Sequence, residues 1–475
     1  MHSGPTSAKE KCMPRNLIFL LCSVLSIPSL AAADSESARP PMRLFSIWEA
    51  GQIEEASDIG RTPRVDKELH NRATVWLLQE ARLAEHASLF LGVGGGYFFV
   101  FPRSKGNPWA HSQRSGFGLT DAHAEFGMYQ RGQDELLRLK IGIFNYKYNE
   151  DARNLGEYLY RSWTYPTILQ TGGVLQNINS AFMQLNGVAA STKIGGFQND
   201  LMLTIQSSHA PVYALSLADI ISYNIGGILT VGGGFMFDNF YSPSEDAVTP
   251  QIPDNLYYTV VGGDSLPLGD QLAKKRLDKL KQNLLVAGND TVITDSGYYT
   301  FAGQKMMVRA SLSLGKLMPS LFAEHELRLY GEAILMGLKD YPTFYAKKMD
   351  RVATMVGFNL PTFHLLDLFS VEWEYCPNPF PNAYIQYYEG DGTATPPGSV
   401  QDLRIGDFPN INTIHSDDVK WSIYAKKQVY EKFALYAQVA RDHLRIMDQW
   451  GNTDHDDFLP NRNHWYWMFQ LSYAL

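Results

Sequence analysis

The chain has 475 residues, 45% of them hydrophobic and 13% aromatic, and a formal net charge of −8. That acidic balance, with no basic patch, excludes a nucleic-acid binder. Only one of its three cysteines, Cys376, lies beyond residue 33, which excludes an intramolecular disulfide framework after that point.

The first element is a secretory signal. Arg15 supplies a positive flank, residues 17–30 form a short apolar run, and Ala31, Ala32 and Ala33 offer a small-residue cleavage site before Asp34. The expected division is a signal peptide over 1–33 and one domain over 34–475. Mean hydropathy is −0.21, and no later apolar run reaches the length of a membrane helix.

Period-2 alternation then recurs along the chain. Strand parity adds two more: the short turn near 82–87 needs a strand running into it, near 72–81, and that strand needs a partner, for which residues 42–50 are the available segment. Gly92, Gly94, Gly95 and Gly96 precede Tyr97, Phe98 and Phe99 and read as a bend or close approach in a strand wall. Asp121, His123 and Glu125 share one strand face and read as a polar ladder. Leu137, Leu139, Ile141 and Ile143 alternate with Arg138, Lys140 and Gly142. Leu201, Leu203 and Ile205 alternate with Met202, Thr204 and Gln206, and a further strand is needed near 213–222.

Residues 270–287 break the pattern. Leu272, Leu277, Leu280, Leu284 and Leu285 recur at helical spacing among Lys274, Lys275, Arg276 and Lys279, so a short amphipathic loop helix is predicted. Alternation then resumes. Val308, Ala310 and Leu312 oppose Lys305, Arg309 and Ser311. Leu329 and Ala333 oppose Arg328 and Glu332. Val371 and Trp373 oppose Glu372 and Glu374, and Trp421 and Ile423 oppose Lys420 and Ser422.

The connections alternate as well. Short turns near 82–87, 130–135, 191–199, 224–227, 315–324, 362–366 and 428–432 are separated by longer segments. A β-sandwich has short connections at both ends, whereas a transmembrane barrel has short turns at one end and long loops at the other. The predicted class is therefore all-β, a closed antiparallel transmembrane β-barrel of about 16 strands, with 14 to 18 admitted.

The last strand fixes direction. Trp465, Trp467, Phe469, Leu471, Tyr473 and Leu475 share one face, and Tyr466, Met468, Gln470, Ser472 and Ala474 the other. This pattern resembles the C-terminal signature of Gram-negative outer-membrane proteins, although Leu475 stands where an aromatic is usual. The resemblance, to porins in particular, implies the bacterial outer membrane as location. It also implies contact with lipid and lipopolysaccharide, insertion by the barrel-assembly machinery, and a homo-trimer.

It further implies passive diffusion of small hydrophilic solutes or ions, with no enzyme activity and no cofactor. Two alternatives stay open: a non-conducting surface-binding or structural barrel, and an outer-membrane hydrolase. Charged side chains facing lipid cost roughly 2–4 kcal/mol at mid-bilayer. Arg138, Lys140, Lys305, Arg309, Arg328, Glu332, Glu372, Glu374, Lys420 and Lys426 are therefore expected to line the pore. The segment 147–178, with Arg153, Glu157, Tyr158, Arg161 and Trp163, is the candidate constriction loop. Asp417, Asp418, Asp442 and His443 gather at the outer rim. They read as a solvated acidic rim, as a divalent-cation site, or as a set that resembles the Asp–Asp and Asp–His pairs of omptin proteases.

Overall fold

Alternation becomes strand here because one face must be apolar and the other polar or packed. The computed structural model describes residues 42–54, 67, 69–101, 114–131, 134–161, 183–207, 213–241, 248–250, 284–287, 290–293, 298–300, 302–323, 325–338, 348–377, 419–442 and 463–475. The expected signal peptide lies outside them.

Twenty strands follow in chain order. The first nine are β1 (Met42–Ile53), β2 (Leu69–Ala84), β3 (Ala87–Phe101), β4 (Arg114–Arg131), β5 (Asp134–Tyr146), β6 (Met183–Ile194), β7 (Phe197–Ile205), β8 (Leu215–Ile225) and β9 (Leu229–Tyr241). Four short strands come next: β10 (Val248–Pro250), β11 (Leu284–Ala287), β12 (Asp290–Ile293) and β13 (Tyr298–Thr300). The last seven are β14 (Gly303–Ser313), β15 (Arg328–Leu335), β16 (Val352–Asn359), β17 (Leu368–Tyr375), β18 (Val419–Tyr430), β19 (Phe433–Arg441) and β20 (Tyr466–Ala474).

Strands β1–β9 and β14–β20 form one closed antiparallel barrel in sequence order, sixteen in all. Closure pairs β1 with β20, with Glu49 opposite Gln470 and Trp48 opposite Leu471. Leu475 belongs to this seam: its amide donates to Leu44 O at 2.8 Å, and its carbonyl accepts Leu44 N at 3.0 Å. The strands inferred from parity, at 42–50, 72–81 and 213–222, are present as β1, β2 and β8.

The predicted helix over 270–287 needs correction at its end. Leu284–Ala287 is a strand paired with β12, while residues 270–283 lie outside the described residues. Its leucines fit either period over so few positions, and pairing with Asp290–Ile293 satisfies the backbone instead.

The outer face is apolar, with Val308, Trp373 and Phe469 more than half exposed. The inner face is divided. On β5–β9 and β14–β16 it carries Phe144, Leu185, Ala189, Met202, Ala218, Ile220, Met236, Met307, Ile334 and Met355, all buried in one apolar cluster. Elsewhere it carries polar and charged groups.

Candidate functional site

What buries that inner apolar wall is the chain's own segment after β5. Residues 147–161 turn inward, and Ala152, Leu155, Tyr158, Leu159 and Tyr160 are buried in the same cluster. Gly156 at φ +86° and Glu157 at φ +55° reverse the backbone. The positive φ of Gly156 is one that L side chains rarely adopt, so a substitution there is strained, and its Cβ would also press Met355 Cε at 2.6 Å. One 3-10 turn, Tyr158–Tyr160, follows.

Two carboxylates on the barrel wall hold the segment. Glu332, on β15, accepts the Tyr148 hydroxyl at 2.6 Å, Tyr158 N at 2.8 Å, Asn149 Nδ2 at 2.9 Å and Glu157 N at 3.1 Å. Glu372, on β17, accepts Arg153 N at 2.6 Å, Asn154 N at 2.9 Å and Leu155 N at 3.0 Å. These amides belong to irregular backbone with no ladder partner, so each needs an acceptor once buried. Charged acceptors make the stronger hydrogen bonds.

Further ties surround this pair. Tyr158 donates its hydroxyl to Glu374 at 2.8 Å, and Asn154 Nδ2 donates to Ser422 Oγ at 2.5 Å. Asp151 is paired with Arg328 and accepts the Ser311 hydroxyl at 2.6 Å. Lys305 donates to Arg161 O at 2.6 Å and lies 2.7 Å from Asp238. The segment begins at β5 yet is fastened to β14, β15, β17 and β18, so it spans the inside of the barrel. Burial lifts the Glu157 carboxyl above its ordinary range; Lys147 at 3.5 Å opposes this and Glu332 adds to it.

The charges named from alternation fall into two groups. Lys305, Glu332, Glu372, Glu374 and Lys420 are buried, at most 3% exposed. Arg309, Arg328 and Lys426 are half-buried. Arg138 and Lys140 lie 3.1 and 3.5 Å from Glu125 oxygens, with side chains 48% and 28% exposed. Arg309 sits over the Tyr148 ring at 5.9 Å, and Lys426 over the Tyr436 ring at 5.7 Å.

Arg153 and Arg161 belong to the inward segment, together with Glu157. The Arg161 guanidinium donates to Gly156 O at 3.0 Å and closes the tip.

In the Asp121, His123 and Glu125 row, His123 is bonded through Nδ1 to Asp121, stacked on Phe90 at 4.7 Å, and 3.7 Å from Glu125 through Nε2. Of the rim set, Asp442 accepts the Tyr466 hydroxyl at 2.7 Å and Gln438 Nε2 at 3.1 Å. Asp417, Asp418 and His443 lie outside the described residues, as do Lys274, Lys275, Arg276 and Lys279.

No family model and no curated protein matches the chain. Among solved structures, a mutant of Rh. blastica porin covers 92% of this chain and 99% of its own, at 7% identity and a TM-score of 0.42. A triple mutant of Rhodopseudomonas blastica porin covers the same shares at 8% identity and a TM-score of 0.39. So does a structure described as "Asymmetric conductivity of engineered proteins", at 8% identity and a TM-score of 0.41. The barrel is porin-like. It shares with porins the closed antiparallel register of sixteen strands.

Tyr158, named from sequence, helps hold the segment, whereas Tyr148, Asn149, Asp151 and Asn154 were not singled out. One signal pointed toward them. On β7, Leu201, Met202 and Leu203 are consecutive apolar residues, and on β8 Leu217 with Ala218 and Ile220 with Ile221 put apolar residues on both faces. Strands apolar on both faces are strands covered on both faces, so something had to cover this part of the inner wall.

Proposed function

We propose that this protein is an outer-membrane channel for passive diffusion of small hydrophilic solutes and ions, narrowed by residues 147–161. One observation carries the reading. A segment anchored on the far wall crosses the inside of a sixteen-strand barrel, while Arg138, Lys140 and Lys426 on the wall keep part of their surface open. Barrels of this size are wide enough for an aqueous passage, and an inward segment restricts it.

On this reading the wall charges divide by task. Lys305, Glu332, Glu372, Glu374 and Lys420 hold the wall and the segment. Arg328 holds Asp151 of the segment, and Arg138, Lys140, Arg309 and Lys426 set the potential that ions meet, which favours anions. Arg153, Glu157 and Arg161 shape the narrow point. No catalytic group and no cofactor is needed. The short-turn end, where β1 begins and β20 ends, faces the periplasm. The long connections face outward, toward lipopolysaccharide. Export by the signal at 1–33, insertion by the assembly machinery and a homo-trimer complete the proposal. A divalent cation at Asp417, Asp418, Asp442 and His443 belongs to it too, and calorimetric titration with calcium or zinc tests that site.

Liposome swelling with sugars of graded size tests the channel itself. Swelling that falls with solute size is expected. Absence of swelling for every solute contradicts it and supports a non-conducting surface barrel.

A further inference from the structure

Two short-end turns are unlike the others. The connections β2–β3, β6–β7, β8–β9 and β18–β19 are tight and built from Glu85 and His86, from Gly195 and Gly196, from Gly226, Gly227 and Ile228, and from Glu431 and Lys432. The β14–β15 connection is longer and includes a 3-10 turn, Leu314–Leu317. It leaves Leu317, Met318 and Leu321 between 44% and 59% exposed. Beside it, the β16–β17 turn leaves Phe363 at 69% and Leu365 at 75%. The Phe322 and Phe363 rings stand 6.0 Å apart and join the two turns into one apolar ledge.

The ledge continues the outer face of the barrel. Leu312, Leu329, Phe358 and Val371 form one outward row across β14–β17. Beyond it, Leu314 N donates to Leu327 O and Leu360 N to Phe369 O, which adds a further apolar row. Leu317, Leu321, Phe363 and Leu365 lie past that row and carry the apolar surface on into the turns.

Much of the backbone of the ledge is answered within it. Glu326 accepts Ala323 N at 2.9 Å, Thr362 N at 2.7 Å and the Thr362 hydroxyl at 2.8 Å, which binds the two turns together. Met318 N donates to Gly315 O, Leu321 N to Met318 O and Leu365 N to Thr362 O. The Thr362 hydroxyl accepts Leu366 N at 3.3 Å, and Lys427 donates to His364 O at 3.0 Å. Phe363 and His364 both hold positive φ, at +52° and +67°, a strained geometry for such residues. Irregular backbone tolerates a lipid boundary only when its polar groups are answered internally. A water-facing turn has no such requirement.

We infer that the 314–327 and 360–367 turns form a lipid-inserted ledge, seated in the membrane leaflet at the short-turn end of the barrel. Leu317, Leu321, Phe363 and Leu365 meet acyl chains there, as the apolar face of an interfacial element does. The inference rests on the barrel spanning a membrane and not on its conducting.

Environment-sensitive fluorophores on single cysteines in proteoliposomes test it. The positions are Leu321→Cys and Phe363→Cys, with Glu85→Cys at a tight turn as the aqueous control and Val308→Cys on mid-strand as the lipid control. Cys376 is buried, which keeps it out of the labelling. Lipid-borne nitroxides are expected to quench Leu321→Cys and Phe363→Cys as they quench Val308→Cys, while iodide quenches both several-fold less than Glu85→Cys. Iodide quenching equal to that of Glu85→Cys overturns the ledge and leaves a water-facing or protein-docking patch. Failure of nitroxides to quench Val308→Cys overturns the membrane reading itself.

Discussion

The Glu332 carboxylate accepts the Tyr148 hydroxyl at 2.6 Å across 184 positions of sequence. Three further donors from the same segment, Asn149 Nδ2, Glu157 N and Tyr158 N, converge on it. A buried acceptor with four donors is the fixed point about which the inward segment is organised. Glu332→Ala leaves those donors unanswered, each at a cost of about 1–3 kcal/mol while buried. The segment is then expected to leave the wall. Limited trypsin digestion checks this, with new cleavage after Arg153 or Arg161 in Glu332→Ala and none in the parent.

Tyr330 reaches Glu372 at 2.9 Å by lying across Gly357. A Cβ at Gly357 would stand 2.1 Å from the Tyr330 ring. Gly357→Ala is expected to displace the ring and destabilise the barrel by about 1–3 kcal/mol. Tyr330→Phe removes only the hydrogen bond and is expected to cost less. Urea unfolding of both variants in lipid vesicles gives the comparison.

At the short-turn end, burial works to raise the Glu326 carboxyl. Donors from Ala323, Thr362 and His364 outweigh it and hold the group at about 2. A carboxylate depressed on folding stabilises the fold at pH above its unfolded value near 4.5, and this contribution is lost as pH falls toward 2. Glu326→Gln is therefore expected to be less stable than the parent at neutral pH. The difference should shrink between those two values, and unfolding midpoints measured across that range check it.

Arg138 and Lys140 face Glu125 on the inner wall and retain exposed surface. If they help set the potential of the passage, Arg138→Glu with Lys140→Glu should move selectivity toward cations. The reversal potential in a salt gradient across a planar bilayer is the readout, and an unchanged value removes these two residues from the selectivity account.

Much of the barrel was legible because a wall between lipid and lumen imposes a strict period of two. Strand parity alone required β1, β2 and β8, and the outward aromatics of β20 set direction. The inward placement of Glu332 and Glu372 also followed from period. What period does not encode is what meets those carboxylates. Most of their partners are backbone amides of a segment 174 to 219 residues away, and amides carry no residue-type signal. Lys305 and Lys420 likewise read as wetted charges, although each is at most 1% exposed. The apolar ledge was read as an ordinary short turn, because Leu317, Leu321, Phe363 and Leu365 follow no helix or strand period.

Single-channel recording from purified protein in a planar bilayer tests the central claim most directly. Discrete conductance steps are expected for the parent, and larger steps for Glu332→Ala combined with Glu372→Ala, which frees the inward segment. A bilayer that stays silent with both proteins contradicts the account.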